Sequence, residues 1–204
     1  MKWLPGKRAR RSLTGLAVIV AVCLIVFFSL PRLLIAPSHI VPAEAILHYA
    51  IDPHSDADAW VAGLYRQGLV KKIVCVSRQA SWELYPADFV RRHLIELGVP
   101  ADDVLTLHLP MVDCMAQNLP RMVEFVKSQG WQNVVLLGRP ADSRADGRLA
   151  KKYFAGAGVN AVVTYVPQEA RELTDHWWAV HWKAQTMVDA AATTTLDLAY
   201  PECW

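Results

Sequence analysis

A chain of 204 residues, 53% hydrophobic and 20% charged, has room for one domain and an appendage. Its formal charge of +2 is unevenly spread: residues 1–32 hold six Lys/Arg and no acid, whereas the remainder holds 15 basic against 19 acidic residues. A net of −4 over the globular part argues against nucleic acid as a partner.

The appendage comes first. Lys2, Lys7, Arg8, Arg10 and Arg11 form a basic flank over residues 1–11, and residues 12–31 carry no charge. Twenty helical residues at about 1.5 Å each span roughly 30 Å, the thickness of a bilayer's hydrocarbon core. A cleaved leader has an apolar stretch of about 7–15 residues and a small-x-small exit. This run is longer, and only "PAEA" (42–45) resembles such an exit. The sequence therefore predicts a transmembrane signal anchor over 12–35, in preference to a cleaved leader or a core-buried helix. Basic flanks stay in the cytoplasm, which predicts a single pass through the cytoplasmic membrane with the C-terminal domain outside. Residues 36–42 read as a short linker and residues 43–204 as the domain.

From residue 43 the chain alternates apolar runs with amphipathic stretches. "AEAILHYA" predicts a first strand, and "DADAWVAGLYRQG" a helix ending at Gly68. "KKIVCVS" is a second strand, "PADFVRRHLIELG" a helix and "DDVLTLHL" a third strand. "LPRMVEFVKSQG" is a helix with Pro120 near its first turn, and "NVVLLG" a fourth strand. "SRADGRLAKKYFAGAG" and "NAVVTYV" add a helix and a fifth strand. A Trp-rich helix, "DHWWAVHWKAQTMVDAAA", follows from Thr174, and "TTTLDLAYPECW" reads as a tail. Strand–helix alternation predicts an α/β, Rossmann-like three-layer domain with a mainly parallel sheet of about five strands.

Ligands in such sheets bind beyond the carboxyl ends of the strands, and four loops lie there. In "IDPHSDAD", Asp52, His54, Asp56 and Asp58 are metal-ligand types, but Ala57 and Gly63 stand where a calcium loop needs Gly and Glu. Capping and helix-dipole roles for Asp56 or Asp58 are the preferred reading, and no metal is assigned. "SRQASWE" offers Ser77 and Arg78 without the G-x-S-x-G setting of a nucleophile. "PMVDCMAQNLP" offers Asn118, as a polar contact or as a cap for the helix near Pro120. In "GRPADSRADG", Asp142 or Ser143 is a natural N-cap. Arg139 and Arg144 are candidate anion contacts, and Arg144 shares a helix face with Arg148. Directed outward, Arg144 and Arg148 would instead pair with Asp142 or Asp146.

The Trp-rich segment puts Trp177, Val180, Ala184 and Met187 on one face, with Trp178 and Trp182 beside it. Packing across the sheet is the commoner use of such a face, and a membrane-surface belt or glycan platform the alternative. Cys23 falls in the membrane segment and Cys75 in a buried strand. Cys114 and Cys203 either pair or remain free thiols.

The layout from about residue 43 to 180 resembles the YdcF-like family, which includes the SanA and ElyC envelope proteins. "LIELGVPADDVLTL" carries the best match, to an L-x-x-x-G-V-P helix exit and following strand. "AEAILHYA", "LYRQGLVKKIVCVS", "MAQN", Arg144–Ala145 and "HWW" match weaker motifs in the same order. The resemblance implies a membrane-anchored Rossmann-like domain with a role in cell-envelope biogenesis. Several polar site residues of that family are replaced here: "IDPHS" stands for its Gly-rich turn, Arg78 for a Gly, Met115 and Gln117 for Thr and Glu, and Ala141 for a His. The expectation is a divergent, catalytically degenerate domain that binds a small anionic or envelope-precursor ligand, or an envelope protein partner, with no cofactor assigned. An active enzyme on a phosphorylated or glycan envelope substrate and a scaffold acting through the Trp-rich helix are the alternatives.

Overall fold

The computed structural model describes residues 7–49, 56–81, 84–110 and 115–199. Its strands β1 (Ala43–Tyr49), β2 (Val70–Arg78), β3 (Val104–Leu109), β4 (Asn133–Leu137) and β5 (Asn160–Thr164) form one all-parallel sheet in the order β3-β2-β1-β4-β5. The chain moves outward from β1 to β3 through α2 (Asp56–Arg66) and α3 (Pro86–Glu96). It then crosses back through α4 (Met115–Ser128) to β4, and α5 (Ser143–Ala155) leads to β5. Parallel crossovers are right-handed, so reversing the direction of travel moves the helices to the other face.

The two main cores follow from that reversal and from strand alternation. Ile46, Ile73, Cys75 and Val135 point to the face covered by Val61 and Leu64 of α2 and Val90 and Leu94 of α3. Ala45, Leu47, Val74, Val76, Val134 and Leu136 point to the face covered by Val126 of α4 and Phe154 of α5. Both faces of the sheet are therefore dry, which is why its strands read as unbroken apolar runs. The result is a Rossmann-like α/β fold.

The first helix, α1, runs Lys7–Leu34. Its segment Thr14–Leu34, of mean hydropathy 2.5, is the one helix among the described residues long and apolar enough to cross a membrane. None of its most apolar window is buried by the rest of the protein, unlike a core helix. Its C-terminal end nonetheless touches the domain. A third small core joins Leu34 to Ala141, Leu173, Trp177, Met187 and Ala190.

Three elements differ from the sequence reading. Helix α4 begins at Met115, so Asn118 lies inside its first turn rather than capping a helix at Pro120. The charged stretch Pro167–Thr174 forms a helix, α6, opened by its proline. The Trp-rich segment is not one helix. His176 takes a left-handed conformation (φ 47°), Trp177–Ala179 form a 3₁₀ turn, and α7 runs His181–Ala199. The break lets Trp177 turn inward, against Phe27 of α1 at a ring separation of 4.5 Å. Trp178 stays half-exposed against Phe28. The Trp-rich segment thus packs on α1 instead of across the sheet.

Candidate functional site

Strand order reverses between β1 and β4, so the ligand crevice expected of this fold opens beyond Tyr49 and Leu137. Residues 138–147 form its floor on the β4 side. The Gly138 N–H donates to Thr164 O at 3.0 Å, holding the loop to the end of β5. A Cβ at Gly138 would lie 2.7 Å from Asp146 Oδ2, so glycine is what lets that carboxylate sit against the strand end.

The residues singled out from sequence go to separate places. Asp52 and His54 lie outside the described residues, as do Cys114 and Cys203. Ser77 is buried and its Oγ accepts the Ala87 N–H at 3.1 Å, serving the first turn of α3. Arg78 is engaged with the Tyr49 hydroxyl; burial of that phenol raises its pKa, against the pull of the guanidinium. Asn118 is fully buried, and neither its amide nitrogen nor its oxygen has a partner among the described residues. An amide in that state is the strongest ligand-seeking group on this edge. Arg139 pairs with Asp142 at 2.5 Å within its own loop, which takes Asp142 away from the capping role.

Arg144 and Ser143 hold the C-terminal end of α1 and the residues that follow it. The Ser143 hydroxyl donates to Pro140 O at 2.7 Å and accepts the Ala36 N–H at 2.9 Å. One Arg144 Nη donates to Arg32 O at 3.1 Å and to Ile35 O at 3.3 Å, so the guanidinium caps orphan carbonyls at the end of α1. The Tyr165 hydroxyl donates to Ala36 O at 2.8 Å, and the hydroxyls of Ser38 and Thr164 share a bond of 2.7 Å. Neither direction expected for Arg144, into the crevice or outward to Asp142 or Asp146, describes this arrangement. Residues 35–40 are a seated strap rather than a free linker.

Sequence reasoning missed a buried titratable group near the end of β1. His48, the penultimate residue of β1, shares a sheet face with Ile46 and lies beside Cys75 of β2. Its Nε2 meets Asp58 Oδ1 at 2.7 Å, and Asp58 Oδ2 meets His93 Nδ1 at 2.7 Å. Asp58 and His48 are buried, and His93 reaches them from the last turn of α3. Burial alone would raise the Asp58 pKa, but the bonds and charges of the two imidazoles outweigh it and hold it below the ordinary value. The same desolvation, with the Asp58 charge, pushes the Cys75 thiol up to about 12, so Cys75 is an inert core residue. On α6, Glu169 has its pKa raised, first by burial and then by the charge of Asp56, with His48 pulling the other way. His48, Asp56 and Glu169 thus share one electrostatic neighbourhood although 121 residues separate the first from the last. The signal available in sequence was a histidine on the inward face of a strand end, which also fits a satisfied core residue.

The described residues hold no group of three His, Cys, Asp or Glu side chains arranged for a metal ion. Comparison with models of known protein families and with curated proteins gives no match to this chain.

Proposed function

We propose that this chain is a single-pass membrane protein whose α/β domain lies outside the cytoplasm and binds a ligand or partner in cell-wall or surface-polysaccharide biogenesis, without turning it over. The carrying observation is the seating of the end of α1 and the residues after it on Ser143 and Arg144 of the 138–147 loop and on Tyr165 just beyond β5. It supports this reading by tying the carboxyl edge of the sheet, where this fold takes its ligands, to the end of the apolar helix. The basic flank over residues 1–11, ahead of the apolar span, supports the orientation, and the ordered resemblance to YdcF-like envelope proteins supports the process. The reading of lost turnover is supported by the employment of Ser77 and Arg144 in structural bonds and by Ala141 at the position where the family it resembles carries a His.

Two measurements test this. A reporter fused after Trp204 should be active only outside the cytoplasm; activity inside reverses the topology. Detergent-solubilised full-length protein should gain thermal stability with lipid-linked or nucleotide-linked envelope precursors and release no product from them. A second reading, acid–base catalysis on such a substrate, is favoured by Glu169, whose raised pKa beside His48 is the kind of perturbation found at reaction centres. Product release that disappears in Glu169→Gln would establish it in place of the first.

A further inference from the structure

A groove of about 1310 Å³ runs between the end of α1 and the layer made by α6 and the Trp177–Ala179 turn. Pockets for small molecules usually hold about 300–1,000 Å³, so this one suits a longer occupant. Its two ends differ in chemistry. Leu24, Ile25 and Phe28 of the apolar span line one end, continuous with the surface that a bilayer would cover. Arg32, Arg144 and Arg171 line the other, and no Asp or Glu belongs to the lining among the described residues. Arg144 is turned to the anchor carbonyls, but the guanidinium groups of Arg32 and Arg171 have neither a hydrogen bond nor an ion pair among the described residues. Three like charges lining one groove from α1, α5 and α6, with no acid in the lining to balance them, are stabilised by an anion, and guanidinium is the donor best matched to phosphate.

We propose that this groove holds an anionic, phosphate-bearing membrane lipid, its hydrocarbon chain along Leu24, Ile25 and Phe28 and its phosphate among Arg32, Arg144 and Arg171. The inference rests on the membrane-anchored reading above and adds the chemical class of the ligand. An amphiphile is indicated because each half of the groove is uncongenial to the other half's partner. A free anion leaves the apolar end uncovered, and a neutral lipid leaves two arginines unpaired. The indole rings of Trp177 and Trp178 line the groove against Phe27 and Phe28, and indoles are a side-chain type that suits a membrane border.

The test uses the full chain reconstituted into phosphatidylcholine vesicles, then solubilised and titrated with phosphatidic acid or phosphatidylcholine under native mass spectrometry. One equivalent of phosphatidic acid should bind at least about tenfold more tightly than phosphatidylcholine. Arg32→Gln combined with Arg171→Gln should remove that preference while leaving the melting temperature unchanged. Arg148→Gln, an exposed arginine of α5 outside the groove, should keep it. Excess inorganic phosphate should leave the bound lipid in place. Equal binding of the two lipids, selectivity retained in the double variant, or displacement by inorganic phosphate would each overturn the lipid assignment. Failure to enter the vesicles at all would instead overturn the membrane-anchored reading beneath it.

Discussion

Asp58 shows how far a single position in the sequence under-describes its role. Two residues into α2, it looks like an ordinary first-turn acid, yet its carboxylate bonds to imidazoles from β1 and α3 rather than to its own helix's amides. It is the buried joint between three elements. Asp58→Asn keeps the shape and removes the charge, which should cost about 1.5–3 kcal/mol, the range for hydrogen bonds to a charged group. Because its folded pKa lies below the ordinary value, its contribution is complete above about pH 4 and fades as pH falls through the folded pKa. Melting curves from pH 7 to pH 2 should therefore show wild type losing its advantage over Asp58→Asn at the acid end; a constant gap would refute the ion-pair account. Glu169 has the opposite sign. Its folded pKa is raised by burial and by Asp56, so its contribution is favourable in acid and is lost as pH rises through that value. Glu169→Gln should raise the melting temperature at pH 8 by roughly 2–4 °C, and the gain should vanish near pH 4.

At the scale of elements, the five strands were legible because a doubly covered parallel sheet leaves its mark in consecutive residues. "NVVLLG" covers all of β4 and overruns it only by Gly138, and "AEAILHYA" overlaps all of β1. What escaped was set by distant partners. The short charged helix α6 has too few apolar positions to show a period, and only Leu173 of its eight residues is fully buried. The Trp-rich segment keeps a helical period in sequence, but docking of Trp177 on α1 wins over continuing the helix, and His176 takes the strained backbone that this requires. The candidate site divides the same way. Its place at strand ends was readable from the alternation of elements. The use of Arg144 on carbonyls more than a hundred residues away was not. Arg144→Ala should remove those two bonds and speed amide exchange at Ile35 and Ala36 by roughly five- to tenfold, with exchange in β1 and β4 unchanged. Equal protection in both proteins would mean that the strap is held by Ser143 and Tyr165 alone.

On the scale of the whole molecule, the C-terminal end of α1 belongs to the fold as well as to the apolar span. Trp177 and Met187 are essentially inaccessible, and Leu34, which shares their core, reaches it only because residues 35–40 are bonded across the sheet edge. An aromatic of this size buries about 150–250 Å², and at about 25 cal/mol per Å² its exposure would cost roughly 4–6 kcal/mol as an upper bound. Removing the strap therefore leaves the two sheet cores intact but opens an apolar patch made of Ala141, Leu173, Trp177 and Met187. A chain shortened to begin at residue 41 should still show the cooperative melting of an α/β sheet, yet self-associate in sedimentation velocity runs as its concentration rises. One shortened to begin at residue 31, which loses most of the span but keeps Leu34 and the strap, should stay monomeric. If both shortened chains were monomers, the third core would be closed by α7 alone, and the domain would hang from its anchor without a fixed orientation. If both self-associated, Phe27 and the span above it would be needed to cover Trp177, and the domain would have to be handled only with its membrane helix in place.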